Sequence, residues 1–237
     1  MQKVYDRAYF DKWYRDEKHR VGSRDALRRK VAMAVAMAEF YLGREIRNVL
    51  DAGCGEGAWH APLKALRPKA RYLGLDSSEY AVARWGRTRN LRLATFGQLG
   101  QQRFEQRFDL IVCADVLHYV PTAQLKRGLD GLTDQLEGVA FIEVYTTADK
   151  LVGDLIGFQR RSPAWYRQTF AEAGLMPVGS HGWVGARQAP WITAMESPGY
   201  TRREGDRPDA APGIRRASGR SRCAAARVGR NGGAPEP

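Results

Sequence analysis

The residues that could take part in chemistry begin with a glycine-rich turn. The segment NVLDAGCGEGAWHAPL starts at Asn48, contains an apolar run that ends at Asp51, and has glycines at positions 53, 55 and 57. A turn of this kind between a strand and a helix lets backbone N–H groups approach a bound cofactor closely. The spacing fits a dinucleotide and equally another adenosine cofactor, so the pattern alone leaves both possibilities open.

A second acidic residue, Asp76, ends the apolar run ARYLGLD and lies 21 residues after Gly55. A carboxylate at this distance from the turn is suited to accept hydrogen bonds from the two hydroxyls of an adenosine ribose. The alternative is that Asp76 only caps the helix that Ser77 and Ser78 introduce. Together with the glycine turn, its position favours a role in binding the ribose.

The charges at the glycine turn indicate which adenosine cofactor it holds. Glu56 lies inside the turn, and Asp51 immediately precedes it. A dinucleotide would place its pyrophosphate at the helix start, where two carboxylates would repel it. A cofactor with cationic groups and no phosphate, such as S-adenosylmethionine, fits better. We therefore predict binding of S-adenosylmethionine or S-adenosylhomocysteine, and no binding of NAD or NADP.

The elements that position these residues alternate between helix and strand. Ser23 is a favourable N-cap for a helix whose apolar residues recur every three to four positions as far as Leu42. Five apolar segments then predict strands: RNVLDAG, ARYLGLD, NLRLATF, FDLIVCADVL and GVAFIEVY. Such strands alternating with helices indicate a parallel sheet covered on both faces. After a helix capped by Ser162, the segments MPVGSHGWVG and PWITAMES are predicted as two closing strands.

Composition limits the organisation to one core with small additions. The chain has 237 residues, of which 43% are hydrophobic. Nine Arg and four acidic residues in positions 200–237 contribute +5 of the net charge of +12. We predict an aromatic-rich leader at 1–22, one domain at 23–199 and a basic disordered tail at 200–237.

The same composition argues against several classes of protein. No apolar run is as long as the roughly 20 residues that a membrane span needs, and the first residues lack the apolar core of a signal peptide. We therefore expect a cytoplasmic protein without a membrane partner. The three cysteines have no metal-ligand spacing, so we expect neither a metal site nor a disulfide framework.

Four motifs follow one another along the chain in the order seen in the class I S-adenosylmethionine-dependent methyltransferases: VLDAGCGEG, YLGLD, FDLIVCADVLHYV and AFIEV. The chain resembles that family over roughly residues 20 to 196. The resemblance implies an α/β fold with a doubly wound, mostly parallel seven-stranded sheet of order 3-2-1-4-5-7-6, in which strand 7 is antiparallel. It also implies which residues bind the cofactor. The turn residues Asp51, Gly53, Cys54, Gly55 and Gly57 would hold the methionine part, Asp76 the ribose, Ser77 the adenine, and Ala114 and Asp115 would border the methionine part and the acceptor.

One segment departs from the pattern of the resembled family. Its members commonly carry an Asp after the third strand that accepts a hydrogen bond from the adenine amino group, whereas this chain has TFGQLGQQ. Gln98 could supply a carbonyl oxygen instead, or Gly97 could let the backbone approach the adenine. The other possibility is that Gln98 is an exposed loop residue.

Two further groups bear on the methyl acceptor. One helical side of the leader carries aromatic residues, namely Tyr5, Tyr9, Trp13 and Tyr14. Such a stripe indicates a surface that packs against the core. The alternative, as in similar leaders of the family, is that it closes over the cofactor, with His19 and Arg20 as polar contributors. His118 and Asp115 are the candidate catalytic residues, and the His118 side chain is suited to act as a base. The alternative is that His118 is a hydrogen-bonded structural residue near the start of the following helix.

The segment after the fourth predicted strand limits the chemical class of the methyl acceptor. Methyltransferases that act on planar nitrogen commonly carry Asn or Asp, two prolines and an aromatic residue there, and this chain has Ala-Asp-Val-Leu at 114–117. We therefore predict a methyltransferase that acts on a small molecule. An RNA or protein methyltransferase and a non-catalytic S-adenosylmethionine-binding protein are the alternatives.

Overall fold

The computed structural model describes residues 3–19, 22–150 and 153–192, which are built around one mixed sheet. Its strands in chain order are β1 (Asn48–Ala52), β2 (Arg71–Asp76), β3 (Leu91–Leu93), β4 (Phe108–Ala114), β5 (Leu136–Glu143), β6 (Met176–Gly179) and β7 (Gly182–Val184). The order across the sheet is β3-β2-β1-β4-β5-β7-β6. Strands β1 to β5 pair in parallel, and β7 runs antiparallel to β5 and β6. The predicted fold class and strand order are confirmed.

Helices cover both faces of this sheet. In chain order they are α1 (Arg7–Phe10), α2 (Arg24–Leu42), α3 (His60–Leu66), α4 (Glu79–Arg89), α5 (Thr122–Gln135), α6 (Pro163–Glu172) and α7 (Ala189–Ile192). The neighbours Val49 and Leu50 of β1 are both buried but belong to opposite cores, because successive side chains of a strand point to opposite faces. The core around Val49 includes α2 and α3, and the core around Leu50 includes α5 and α6.

The helix ends follow the caps that the sequence predicts. The hydroxyl of Ser23 accepts a hydrogen bond from the backbone N–H of Ala26 at 3.1 Å and begins α2. The hydroxyl of Ser162 accepts one from the N–H of Trp165 at 3.1 Å and begins α6. Each cap satisfies a backbone N–H group that has no partner inside its helix.

The prediction for the two closing strands is wrong. Both β6 and β7 lie within MPVGSHGWVG, where Ser180 and His181 form the connection with φ values of 48° and 66°. Positive φ at both central residues is the requirement of a type I′ hairpin, for which Asn-Gly or Asp-Gly is the usual signal and Ser-His is not. Residues 190–192 of the segment PWITAMES are helical, and its remainder lies outside the described residues.

Other predictions concern parts of the chain that the structure describes only in part. The tail at 200–237, with Cys223, lies outside the described residues, so its predicted disorder stays a prediction. Cys54 and Cys113 are buried free thiols. Within the described residues no helix combines the length and the apolar character that crossing a membrane requires.

Candidate active site

The glycine turn after β1 packs so tightly that two of its positions exclude any side chain. The N–H groups of Gly53 and Cys54 both donate to the carbonyl of Leu75, at 2.7 and 3.1 Å. A Cβ atom at Gly53, where φ is 82°, would lie 2.4 Å from Val116 Cγ2. At Gly55, where φ is 54°, it would lie 2.7 Å from the hydroxyl oxygen of Tyr14. The backbone of the turn therefore forms the wall of the site directly.

Asp76, the last residue of β2, connects this turn to the start of α4. Its Oδ2 accepts a hydrogen bond from the N–H of Gly55 at 2.6 Å, and its Oδ1 accepts one from the N–H of Ser78 at 2.8 Å. Burial raises the pKa of the carboxyl group, and these hydrogen bonds oppose that rise. The N-cap of α4 is Ser78, whose hydroxyl accepts from the N–H of Ala81 at 3.0 Å. Asp76 is therefore not the capping residue.

A first cavity of about 190 Å³ lies beside the turn, at the carboxyl ends of the central strands. Of the residues predicted to bind a cofactor, Gly53, Gly55, Asp76 and Ser77 line it. The leader supplies aromatic side chains on the same cavity: Tyr5, Tyr9, Phe10 and Tyr14. The leader is held there in part by the hydroxyl of Ser78, which donates to the carbonyl of Tyr5 at 2.5 Å.

A second cavity of about 410 Å³ adjoins the first. The predicted residues Asp51, Cys54, Ala114, Asp115 and His118 line it. The two cavities share the following lining residues, which mark where they meet: Tyr9, Tyr14, Gly53, Asp115, Val116 and Tyr119.

Asp51 is a buried carboxyl group at the end of β1. Its Oδ2 accepts a hydrogen bond from the hydroxyl of Tyr72 at 2.7 Å. Burial raises the pKa of Asp51 to about 7, and the nearby charge of Asp76 contributes to that rise. The approach of a cation would favour its ionised form, so the group is suited to face a positively charged ligand.

Asp115 lies at the junction of the two cavities in an unusual backbone conformation. Its φ is 67°, in the left-handed region that residues other than Gly adopt rarely and that is enriched at functional sites. Its N–H donates to the carbonyl of Glu143 at 3.0 Å, which fixes this conformation at the end of β4. Its side chain keeps 53% of its surface exposed. The carboxylate is thus available to a ligand from either cavity.

His118 is held in a way that does not suit a catalytic base. It is 1% exposed, and its Nδ1 accepts a hydrogen bond from the N–H of Tyr145 at 3.4 Å. This contact assigns the ring proton to Nε2, which lies 3.8 Å from Asp115 Oδ1. Burial, with the charges of Lys3 and Arg161, lowers the pKa of His118 to about 4. A neutral imidazole whose lone pair is already engaged fits the structural alternative better.

Two of the predicted cofactor residues lie away from both cavities. The side-chain oxygen of Gln98 accepts hydrogen bonds from the N–H and the hydroxyl of Thr95, at 2.9 and 3.1 Å, and the residue is exposed. Thr95 and Phe96 line the first cavity in its place. Gly57 packs against Arg89 and Leu91 instead, since a Cβ atom there would lie 3.3 and 3.2 Å from their side chains. The adenine contact of Gln98 and a direct cofactor contact of Gly57 are therefore not supported.

The electrostatic argument also changes at Glu56. Its carboxylate forms an ion pair with Arg15, with 2.5 Å between Oε1 and Nη2, and it lines neither cavity. The like charge that disfavours an anionic pyrophosphate is therefore reduced to that of Asp51, because an acid at the position of Asp76 receives ribose hydroxyls in dinucleotide sites as well. Of the two polar leader residues, His19 pairs with Asp16 instead of facing a cavity, and position 20 lies outside the described residues.

Comparisons with known proteins agree with this geometry. A family profile described as a methyltransferase domain matches residues 50–137, which include the glycine turn, Asp76, Asp115 and His118. No curated protein matches the chain. Solved structures that match it include an S-adenosylmethionine-dependent methyltransferase from Archaeoglobus fulgidus, with 14% identity, TM-score 0.52, and coverage of 71% of this chain and 73% of that one.

A second match at the same TM-score of 0.52 is the magnesium protoporphyrin IX methyltransferase of Synechocystis PCC 6803 with bound S-adenosylmethionine. It is 19% identical, and the match covers 73% of this chain and 83% of that one. An O-methyltransferase family protein from Burkholderia thailandensis is 16% identical at TM-score 0.46, and only 53% of its length is covered, against 65% of this chain. At these identities the structures share a fold. Residues 50–137 therefore match a methyltransferase domain, and the described chain shares its fold with S-adenosylmethionine-dependent methyltransferases.

Proposed function

We propose that this chain transfers the methyl group of S-adenosylmethionine to a small-molecule acceptor. The observation that carries this proposal is the meeting of two cavities at Asp115 and Tyr119. The first contains the glycine turn and a buried carboxylate, and the second is larger and adjoins it. A donor in the first cavity could therefore reach an acceptor in the second without crossing bulk water.

The residues of the first cavity fit S-adenosylmethionine. Asp76 would accept hydrogen bonds from the ribose, Ser77 would lie near the adenine, and the turn from Gly53 to Gly55 would hold the methionine part. Asp51, which lines the second cavity next to the turn, would face the cationic groups of the methionine part, consistent with its buried carboxyl group and raised pKa. When bound, S-adenosylmethionine supplies a methyl group on a positively charged sulfur, whose departure as a neutral thioether requires no acid.

The chain's own contribution would be positioning and the exclusion of water. Aligned reactants in a desolvated site can account for much of the acceleration of a displacement reaction. The leader aromatics cover the first cavity, and the strained backbone of Asp115 directs a carboxylate to the junction. His118 would support the wall of the site through its hydrogen bond with Tyr145, without accepting a proton.

The size of the second cavity supports a small-molecule acceptor. Its volume is about 410 Å³, and its wall includes side chains from the leader, from α2 and from the segment after β5. A folded protein or an RNA duplex could not enter a space of this size, although a single extended side chain or a flipped base could. The Synechocystis match is named for a magnesium protoporphyrin IX methyltransferase, which is compatible with a small-molecule acceptor.

Calorimetry with the full chain tests the cofactor. We expect S-adenosylmethionine and S-adenosylhomocysteine to bind and NAD to give no measurable heat, because the Asp51 carboxyl group lies beside the glycine turn where a pyrophosphate would bind. Comparable affinity for NAD would refute this assignment. Binding of S-adenosylhomocysteine without methyl transfer to any fraction would favour the non-catalytic alternative.

A labelled-methyl assay tests the acceptor class. The chain is incubated with labelled S-adenosylmethionine and with separate metabolite, protein and total RNA fractions. Label in the metabolite fraction alone is the expected result. Label in RNA, lost steeply as salt increases, would favour the RNA alternative, because phosphate contacts release counterions. Label in the protein fraction would favour the protein alternative.

A further inference from the structure

A lysine of the leader already occupies a cation site against Tyr119, a residue that lines both cavities. The ammonium of Lys3 lies 2.9 Å from Asp154 Oδ2 and 3.4 Å from the centroid of the Tyr119 ring. The rings of Tyr5 and Tyr9 lie 5.1 and 5.2 Å from it. We call these three rings and the Asp154 carboxylate the ammonium cage. A cation is attracted to the face of an aromatic ring and more strongly when a carboxylate is adjacent, so the cage can hold an ammonium group. Burial lowers the pKa of Lys3, and the contacts with Asp154 oppose that decrease.

The cage is rigid on the side of the second cavity. The hydroxyl of Tyr119 donates to the backbone carbonyl of Asp154 at 2.6 Å, which holds ring and carboxylate together. Tyr119 lines both cavities and Asp154 lines the second. Lys3, by contrast, belongs to a stretch without helix or strand before α1. The fixed part of the cage therefore faces the acceptor space, and the lysine enters it from an irregular segment.

The charges of the second cavity also favour a cation. Besides Asp51, which the cationic groups of the cofactor would face, three carboxyl groups line it, those of Asp115, Glu143 and Asp154, against the two bases Arg24 and Lys30. Lys30 is already paired with Glu143, and Arg24 is exposed. Among the described residues, His118 is the basic group that lies within 4 Å of the Asp115 carboxylate. Its lowered pKa keeps this imidazole neutral.

We propose that the acceptor is an amine whose ammonium group binds between Asp115, Asp154 and the ring of Tyr119, where it competes with Lys3. The ammonium would pass one proton to the exposed Asp115 carboxylate, and the freed lone pair would then take the methyl group as the sulfur leaves as a neutral thioether. This inference rests on the proposed function, and it adds the chemical class of the acceptor. An anionic acceptor that displaced Lys3 would meet the Asp115 and Asp154 carboxylates, and a neutral alcohol in the same place would remove the lysine charge without replacing it. The amine places its nitrogen at the junction of the two cavities.

Binding measurements on the full chain test this directly. Three probes of similar size differ in charge: 2-phenylethylamine, 2-phenylethanol and phenylacetate. Each is titrated into wild type, Lys3→Met and Lys3→Arg, saturated with S-adenosylhomocysteine so that the first cavity is filled. The Met side chain removes the competing ammonium, whereas Arg keeps a cation in the cage and serves as the matched control.

We expect the Lys3→Met chain to bind the amine at least about tenfold more tightly than the alcohol, from the combined ring and carboxylate contacts. Phenylacetate should bind most weakly. Wild type and Lys3→Arg should bind the amine more weakly than Lys3→Met does. Adding Tyr119→Leu to Lys3→Met should abolish the preference for the amine. Equal binding of amine and alcohol, or no amine binding to a folded Lys3→Met chain, would overturn the proposal.

Two further measurements apply if the Lys3→Met chain does not fold or if S-adenosylhomocysteine does not bind. If Lys3→Met does not fold by circular dichroism, the wild-type chain is titrated with the same probes, and an amine that binds no better than the alcohol overturns the proposal. If S-adenosylhomocysteine fails to bind wild type, the proposed function fails separately. The amine is then titrated into the unliganded Lys3→Met chain, and the same preference over the alcohol decides whether the cage binds ammonium.

Discussion

Replacing Asp76 with Asn tests whether this carboxylate holds a ribose or only the glycine turn. In the structure each carboxylate oxygen accepts one backbone hydrogen bond, from Gly55 at 2.6 Å and from Ser78 at 2.8 Å. An amide of the same shape keeps one accepting oxygen and presents an NH2 group to the other N–H. The substitution therefore removes the negative charge and one acceptor without opening a cavity.

The expected losses follow from those contacts. Charge-assisted hydrogen bonds contribute about 1.5–3 kcal/mol, so the affinity for S-adenosylhomocysteine should fall roughly 10- to 150-fold. One buried N–H loses its acceptor, at a cost of about 1–3 kcal/mol, which lowers the melting temperature by several degrees. Removing a carboxyl group whose pKa is raised by burial offsets part of that cost in the unliganded chain. The change in binding should therefore exceed the change in stability.

Calorimetry with S-adenosylhomocysteine and its 2′-deoxy analogue separates the two roles of Asp76. If the carboxylate binds the ribose, wild type should discriminate against the analogue and Asp76→Asn should lose most of that discrimination. Glu79→Gln is the matched control, because Glu79 is an exposed carboxylate in the first turn of α4 and lines neither cavity. Affinity of Asp76→Asn within about twofold of wild type, with unchanged discrimination, would refute the ribose assignment.

Three further predictions concern groups around the same site. Because burial raises the pKa of Asp51 from 3.8 to about 7, the folded chain holds an extra proton between those values, so stability should fall as the pH rises through that window. Melting curves from pH 4 to 8 should show this fall in the unliganded wild type and a flatter profile in Asp51→Asn; equal slopes would contradict it. His118→Gln should lower kcat less than about tenfold, because a general base contributes roughly 100- to 10,000-fold and this imidazole is engaged with Tyr145. A loss beyond a hundredfold would restore the base role. Arg161→Met removes buried donors to the carbonyls of Leu117 and Val120 at 3.2 and 2.7 Å, so unfolding should become easier by about 1–3 kcal/mol in denaturant titrations. Its affinity for S-adenosylhomocysteine should stay near wild type, since Arg161 lines neither cavity, and an unchanged stability would show that its hydrogen bonds contribute nothing.

Local signals in the sequence determined most of the framework of the site. The cap at Ser23 and the apolar periodicity that follows it predict α2 to within a residue, because both act within one helix. The apolar runs that end at Asp51 and Asp76 predict strands whose carboxyl ends meet at one edge of a parallel sheet. The order of the seven strands came from the resemblance to a family, since no local signal specifies which strands pair.

The tertiary structure alone decided what each polar side chain of the site does. Glu56 faces Arg15, 41 residues away in sequence, and this ion pair removes its charge from the cavity. The side-chain oxygen of Gln98 accepts a hydrogen bond from the N–H of Thr95, three residues earlier. The residue type alone does not specify this hydrogen-bond partner or the exposure of Gln98. His118 is neutral because side chains distant in sequence bury it.

Only the tertiary structure also shows the partners of the Lys3 ammonium, the group from which we infer the class of the acceptor. In sequence, Lys3 is one of 38 basic residues, and only the folded chain places its ammonium against Tyr119 and Asp154. Secondary structure follows from interactions between near neighbours, which the sequence displays. Charge, protonation and access to a ligand depend on burial and on partners brought together by long-range packing, so they are fixed only when the sheet and its loops have assembled.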